Sequence, residues 1–506
     1  ISAIGGGEIS QGISETYPAS VLYNYHDDYL TGNSALNYLQ NYERRPVGTG
    51  RIPGANDIRR KLTNRDLSYF GNTSYHFKKR YGLSGSIRWD GSNLFGVKTN
   101  QKGVPLWSVG GSWEPSGERF YPIRDWLAYL RIRATYGISG NVNRSETHFP
   151  VSRYTTNSQG LLVGSFNSIG NPSLRWEKVK TTNLGAEWRV AGNRVRGRVE
   201  YYTKRGTDLI GDYEMDPTLG ITGSYKINYA DISTRGWDVN INMKNPIRSF
   251  LWVTDVNLSV VRNEITNFNT REDRPVFEYF YDTPPPRVGV SRDIVYAIPW
   301  NGLSADTGLP IVYMDGVEVT DYRQYYNNHL APEQLTAIGL SVPPHYGALR
   351  NTFSWRGLEL STVISWKSGH VFRRMSMLPT DEYYMNYHQD YYHRWKSPGD
   401  EKTTNVPAKL PITAMGTSQA FSGEIYAASE ALIESGDLIR FQEMSCSYSF
   451  SDRNLKKTPF AAIRINAYFR NLGILWKATP SDLDPDYHSA SYTPPFSFSF
   501  GLQLDF

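Results

Sequence analysis

The sequence predicts an all-β chain, a transmembrane antiparallel β-barrel of about sixteen strands. Three observations predict it. Apolar and polar residues alternate from end to end, short and long connections alternate between the alternating segments, and tryptophan gathers in the apolar phase of those segments. Side chains on a strand point to opposite sides with a period of two, so each such segment has one oily face and one polar face.

The chain opens on ISAIGGGEIS, which begins in mid-strand. LSYFGNTSYHF puts Leu67, Tyr69, Tyr75 and Phe77 in one phase, and YGLSGSIRW does the same with Tyr81, Leu83, Ile87 and Trp89. LRIRATYGI aligns Leu130, Ile132, Ala134, Tyr136 and Ile138, and TNLGAEWRV aligns Thr182, Leu184, Ala186, Trp188 and Val190. VRGRVEYYT, WDVNINM, WVTDVNLSV, GALRNTFSW and LELSTVISW continue the pattern. LPIVYM (309–314), after the turn SADTG, is predicted as a strand because the direction count needs one there. FSFSFGLQLDF closes the chain, with Phe496, Phe498, Phe500, Leu502, Leu504 and Phe506 in phase. Helical periodicity is confined to APEQLTAIG (331–339), which predicts one or two turns.

Short connections fall at KKR (78–80), AGN (191–193), KNPIRS (244–249), RG (356–357) and SDRNLKKTP (451–459). Long ones fall near 11–66, 139–174, 206–230, 263–290, 315–344, 369–433 and 473–493. Tight turns at one rim and long loops at the other are the plan of a bacterial outer-membrane barrel, in which strand number is even. If the last strand runs toward the periplasm, every short connection is periplasmic, every long one is extracellular, and residue 1 starts an outward strand.

Eleven of the thirteen tryptophans are assigned to strand segments: Trp89, Trp107, Trp113, Trp126, Trp176, Trp188, Trp237, Trp252, Trp300, Trp355 and Trp366. All are in the apolar phase and most are near strand ends, where an aromatic girdle meets the membrane interface. The opposite phase carries Arg131, Arg133, Glu177, Asn183, Glu187, Arg189, Arg196, Arg198, Glu200, Asp238, Asn240 and Asn242. So many charges do not share a dry core, because unpaired ions are costly to bury. They face a wet or plugged lumen.

Other classes fall away. No run of about 18 apolar residues exists, so a transmembrane helix is excluded. One cysteine, Cys446, gives no intramolecular disulfide and no Cys-based zinc site. A net charge of +5 without a basic run does not imply nucleic acid. No catalytic constellation stands out, so an enzyme is not expected.

The residues also resemble a family. LSGSIRWDGSNLFG, PLWSVGGSW, LRIRATYGISGN, NPSLRWEKVKTTNLGAEWRV, GLSADTGLPIVYMDG, RINAYFRNLGILWK and the C-terminal stretch are similar, in order, to the SusC-like TonB-dependent outer-membrane transporters (the RagA/SusC family). The resemblance implies the C-terminal part of a 22-stranded transporter barrel in the outer membrane of a Gram-negative bacterium, spanning 1–506. It implies that plug, TonB box and first strands lie outside this chain, as a separate polypeptide, a cleaved one or a part this sequence does not include. The implied function is active import of an oligomeric nutrient, glycan or peptide. Its implied partners are a SusD-like surface lipoprotein, TonB–ExbB–ExbD acting through the plug, and outer-membrane lipid. A passive sixteen-stranded porin and an adhesive or structural barrel remain the alternatives.

Candidate site residues follow. Tyr383, Tyr384, Tyr387, Tyr391, Tyr392 and Trp395 crowd one long outer loop, where aromatic faces stack on ligands or on a lid, or simply pack the loop. Arg131, Arg133, Arg194, Arg196 and Arg198 against Glu177, Glu187 and Glu200 form a cross-strand ladder to receive a plug, or else a path for an anionic substrate. Phe498, Phe500, Leu502, Leu504 and Phe506 resemble the signal read by the barrel-assembly machinery. His388, His393 and Asp390 are a weak metal candidate, so no metal is expected there. Asp482, Asp484 and Asp486 suggest calcium, though Pro485 and the missing distal Glu favour a plain turn. No cofactor is expected.

Overall fold

The computed structural model of the chain describes residues 1–17, 23–33, 36–37, 40–43, 48–51, 60–93, 103–141, 150–156, 161–171, 173–214, 224–269, 275–280, 284–381, 388–450, 458–489 and 492–505. Among these, fourteen strands form one sheet in which every strand pairs only with its sequence neighbours in the sheet. They are β1 (Ser2–Thr16), β2 (Arg60–Phe77), β3 (Tyr81–Ser92), β4 (Gly103–Trp113), β5 (Leu127–Asn141), β6 (Glu177–Val190) and β7 (Val195–Glu214). The rest are β8 (Ser224–Ile247), β9 (Phe250–Phe268), β10 (His345–Trp355), β11 (Leu358–Ser368), β12 (Leu438–Ser449), β13 (Ala462–Lys477) and β14 (Ser497–Asp505). All the pairings in it are antiparallel.

The inner turns are as tight as the sequence suggests. Lys78 and Lys79 both have positive φ, as do Arg356 and Gly357. In the two-residue loop Arg356–Gly357 this backbone gives a twist that matches the flanking strands, and in the three-residue loop 78–80 the Arg80 N–H closes the turn on the Phe77 carbonyl at 3.0 Å. At Gly357 a side chain has no room, since a Cβ would stand 2.5 Å from the Ser449 carbonyl oxygen. The outer strand ends are long: β7 and β8 run 20 and 24 residues, well past the roughly 9–11 a tilted strand needs to cross a bilayer.

Register fixes the two faces. Ile132 opposes Ala186, which opposes Val199, which opposes Val239, so an apolar row crosses β5 to β8. The large apolar side chains of this phase are bare in the isolated chain: Leu184 is 51% and Phe500 72% exposed. A soluble protein would bury this face, whereas lipid covers it in a membrane barrel. Trp113, Trp188, Trp252 and Trp355 stand near the inner strand ends and Trp89, Trp366 and Trp476 near the outer ends, while Trp237 lies mid-strand in β8 opposite Tyr201. Asn351 interrupts the apolar phase of β10. Its side-chain oxygen accepts from the Trp252 indole N–H at 3.0 Å and the Thr254 hydroxyl at 2.8 Å, which satisfies that acceptor on the hydrocarbon side.

Two strands of the expected sixteen are elsewhere. The segment around Trp300, assigned to a strand, and LPIVYM (309–314) belong to the outer connection between β9 and β10, not to the sheet. Their apolar residues pack into a protein core: Tyr296, Ile298, Leu309 and Val312 are buried with Tyr322, Tyr325, Leu410, Ile425 and Ala428. Removing two strands together preserves the even count and the direction of every other strand. Trp300 goes with them and packs on Tyr426, with ring centroids 5.8 Å apart. Trp176 precedes β6 and is buried beside Leu174, so it too leaves the girdle, and Trp126 lies in the turn before β5. The stretch 331–339 is a single tight turn, Pro332–Gln334, followed by the short strand Thr336–Leu340.

The core just described joins the two longest outer connections, 269–344 and 369–437, into one cap. Main-chain contacts lace them: Ile298 donates to the Ala428 carbonyl at 2.9 Å, and Glu430 donates to the Ile298 carbonyl at 3.0 Å.

Candidate functional site: lumenal wall and barrel mouth

The polar face carries an ordered network where β5 to β9 meet. Arg131 opposes Glu187, which opposes Arg198, which opposes Asn240, which opposes Asn257. Arg133 is the hub. Its guanidinium reaches Glu187 at 3.4 Å and makes a close contact with Glu200. Glu200 also takes Arg198 at 3.4 Å and the Asn183 amide at 3.3 Å. Arg198 donates to Asn240 at 2.9 Å, Asn240 to Asn257 at 2.6 Å, and Asn242 to Asp255 at 2.6 Å. The face is concave here, enclosing about 850 Å³ between Arg189, Arg196, Arg198, Asp255 and Arg350.

Not every predicted member joins. Glu177 begins β6 at the outer end and accepts the Ile210 backbone N–H at 2.9 Å, far up the strand from Arg133. Arg194 sits in the inner turn after β6, before β7 starts. Arg131 is in register with Glu187, but its side chain donates to Ser112 at 3.1 Å. Arg189 lies 4.4 Å from the Tyr129 ring centroid, a cation–π contact.

At the mouth, a second set was not anticipated. Arg440, 7% exposed near the outer end of β12, binds Asp484 at 2.5 Å and Asp486 at 3.0 Å, and Lys367 reaches Asp486 at 2.6 Å. These cations occupy two of the three carboxylates that suggested calcium, Asp484 and Asp486. Asp484 also accepts the Asp486 backbone N–H at 3.0 Å, a turn-capping geometry. The tie pins the turn Pro485–Tyr487 to the sheet.

Of the aromatic cluster, Tyr383, Tyr384 and Tyr387 lie outside the described residues, as does Phe506 of the C-terminal row. Tyr392 is 75% exposed and meets Tyr391 edge-on, and Arg394 lies 3.9 Å from the Tyr391 ring centroid. Trp395 does pack the loop. It lies against Gly308, whose positive φ and lack of Cβ make the room. His388 Nδ1 accepts the Asp390 backbone N–H at 3.1 Å, while the Asp390 carboxylate holds Arg374 and Ser376, each at 2.5 Å. Burial pushes the Asp390 carboxyl up, but the bonds from Arg374 and Ser376 and the Arg374 charge outweigh it and hold it below the usual value of 3.8. Among the described residues, no three His, Cys, Asp or Glu side chains are grouped so as to hold a metal. Phe498, Phe500, Leu502 and Leu504 line the exposed apolar phase of β14.

Residues 6–389 match the family described as TonB dependent receptor-like, beta-barrel. The chain belongs to that family.

Similar proteins agree with the fold. TonB-dependent receptor P39 of Formosa agariphila is 22% identical over 95% of this chain and 49% of its own length. TonB-dependent receptor SusC of Bacteroides thetaiotaomicron is 27% identical over 42% of this chain and 22% of its own. The RagAB peptide importer in its open-open state superposes with a TM-score of 0.72 at 18% identity, covering 100% of this chain and 52% of that one. The chain spans about half the length of the full-coverage relatives it matches. This TonB-dependent receptor-like barrel is an outer-membrane chain that crosses with strands. No helix among the described residues is long and apolar enough to cross. The family is one of transporters rather than an enzyme class.

Proposed function

We propose that the chain is the larger part of the barrel wall of a SusC-like, TonB-dependent importer that takes oligomeric nutrients, glycan or peptide, across the outer membrane. The observation that carries the reading is the family match over 6–389, on a sheet whose concave face is lined with charge. In this reading a plug carried by the rest of the transporter, within the same polypeptide or as a separate one, docks against the network around Arg133. TonB–ExbB–ExbD drive that plug, and a SusD-like lipoprotein closes the mouth over Tyr391, Tyr392 and their neighbours. The barrel-assembly machinery reads Phe498, Phe500, Leu502 and Leu504. The chain itself needs no cofactor.

The sheet order supports further strands in the wall, because β1 and β14 are its two edges and do not pair with each other among the described residues. An unpaired edge in hydrocarbon is costly. The test is uptake of labelled oligosaccharides and peptides by the host with and without this chain, and with the proton gradient collapsed. Uptake that needs both the chain and the gradient is expected. Uptake that survives loss of the gradient would make it a passive pore, and uptake unchanged by deletion would leave adhesion or structure.

A further inference from the structure

We propose that a half-enclosed cavity of about 380 Å³ at the barrel mouth, walled by Tyr279, Phe280, Tyr296, Phe372, Arg373 and His488, receives the carboxylate-bearing end unit of an oligomeric ligand. The inference deepens the import reading and rests on it for the ligand being an oligomer.

Four outer segments build the cavity, one of them the turn Val276–Phe280 that carries Tyr279 and Phe280. Val371–Arg373 pairs with Ile433–Ser435, Ile294–Ala297 pairs with Thr336–Leu340, and His488 follows the turn that Arg440 pins. The walls are aromatic. Phe372 and His488 have ring centroids 4.8 Å apart, and Tyr279 meets Tyr296 edge-on at 5.4 Å. Tyr279, Tyr296 and Phe372 are themselves buried, so they shape an apolar wall rather than present open ring faces. The volume lies at the small end of the range for ligand sites, about 300–1,000 Å³, which suits a terminal unit rather than a whole oligomer.

Arg373 supplies the chemistry. Its guanidinium donates to the Tyr296 carbonyl at 2.6 Å, the Ala427 carbonyl at 2.9 Å and the Ser429 carbonyl at 3.4 Å. It has no carboxylate partner among the described residues. The adjacent Arg374 is different, with Asp390 at 2.5 Å and Glu434 at 3.0 Å. Burial alone pulls the Arg373 pKa down to about 10, which marks a charge held by dipoles without a counter-ion. A partly buried cation left in that condition is costly, and a carboxylate relieves it. Of the five guanidinium N–H groups, three are spent on carbonyls. The two that remain, Nε–H and one on Nη2, are the number a carboxylate engages in a bidentate bond.

A carboxylate on this unit has two sources, a uronic acid or a peptide C-terminus. The experiment is calorimetric titration of the detergent-purified transporter, isolated with all chains that accompany it. The first probe pair is trigalacturonic acid and its methyl ester, and the second is a tetrapeptide with a free C-terminus and the same peptide as its amide. At least one pair should show tenfold or greater preference for the carboxylate, and the pair that does so names the source. Arg373→Gln should abolish the preference while leaving affinity for the neutral probe in place, folding being checked by heat-modifiable mobility on gels. If that variant does not fold, Ser489→Asp, on the cavity wall, should abolish the preference by putting a carboxylate there first. No preference in either pair overturns the proposal. So does a preference that survives either substitution in a folded barrel, since Arg373 would then merely staple carbonyls. Binding in detergent needs no proton gradient, so failure here leaves the import reading standing, and gradient-independent uptake leaves this site standing.

Discussion

Leu184 and Asn183 are neighbours on β6 with opposite surroundings, and replacing each with arginine separates the membrane face from the lumenal one. From Leu184 to Val190, at the inner end of the strand, the chain advances about 20 Å at ~3.3 Å per residue. At a tilt of about 40° this is about 15 Å along the membrane normal, near the middle of an apolar band about 25 Å tall. Arginine at that depth on the lipid face costs about 2–4 kcal/mol, or roughly 30- to 1,000-fold in the folding equilibrium at ~1.4 kcal/mol per tenfold. Asn183 points the other way, with its amide 3.3 Å from the Glu200 carboxylate, so arginine there gains an acid partner in a wet cavity. Its cost should stay within about 0.5 kcal/mol, as for an ordinary surface change. Urea unfolding in phospholipid vesicles, followed by tryptophan fluorescence and by gel mobility, measures both. Equal costs, or a larger cost for Asn183→Arg, would refute the assignment of faces.

Three further predictions concern the polar groups. A double-mutant cycle on Arg133 and Glu200, both partly exposed, should give a coupling of about 1–2 kcal/mol, between the surface and the buried regimes, and shrink in high salt. A coupling of zero would remove the network from the wall's stability. Arg440→Met strands Asp484 without a cation and should cost about 3 kcal/mol locally, seen as faster protease cleavage within 478–496 while the sheet stays folded. The Asp390 carboxyl is lowered in the folded cap, so its stabilisation is present above the unfolded value near 3.8 and is lost as pH falls through the folded value. Limited proteolysis of the cap from pH 6 to pH 3 should show that loss at the acid end, and Asp390→Asn should flatten the dependence.

The strands were legible because their signal is local. LRIRATYGI carries its own two-faced pattern, and KKR and RG mark tight turns without reference to any partner. What alternation does not encode is the apolar medium. VYAIPW and LPIVYM are continuous apolar runs rather than alternating ones, and they are covered by Tyr322, Leu410 and Ile425 from distant segments rather than by lipid. Trp176 was misplaced for the same reason. Charge pairing was legible only as far as register was. Arg133 and Glu200 could be matched from the two faces, whereas Glu177 shares their phase but stands at the far end of β6. The dipeptide Arg373–Arg374 marks the limit. The two side chains are chemically identical and adjacent, yet one is neutralised by Asp390 and Glu434 and the other, with no carboxylate partner among the described residues, donates to the carbonyls of Tyr296, Ala427 and Ser429 and lies 5.9 Å from the Phe280 ring centroid. Those polar partners are brought in by chain folded from 16 to 77 residues away. The difference between a structural ion pair and the anion site proposed at Arg373 is therefore a property of the cap's tertiary packing, and no local pattern carries it.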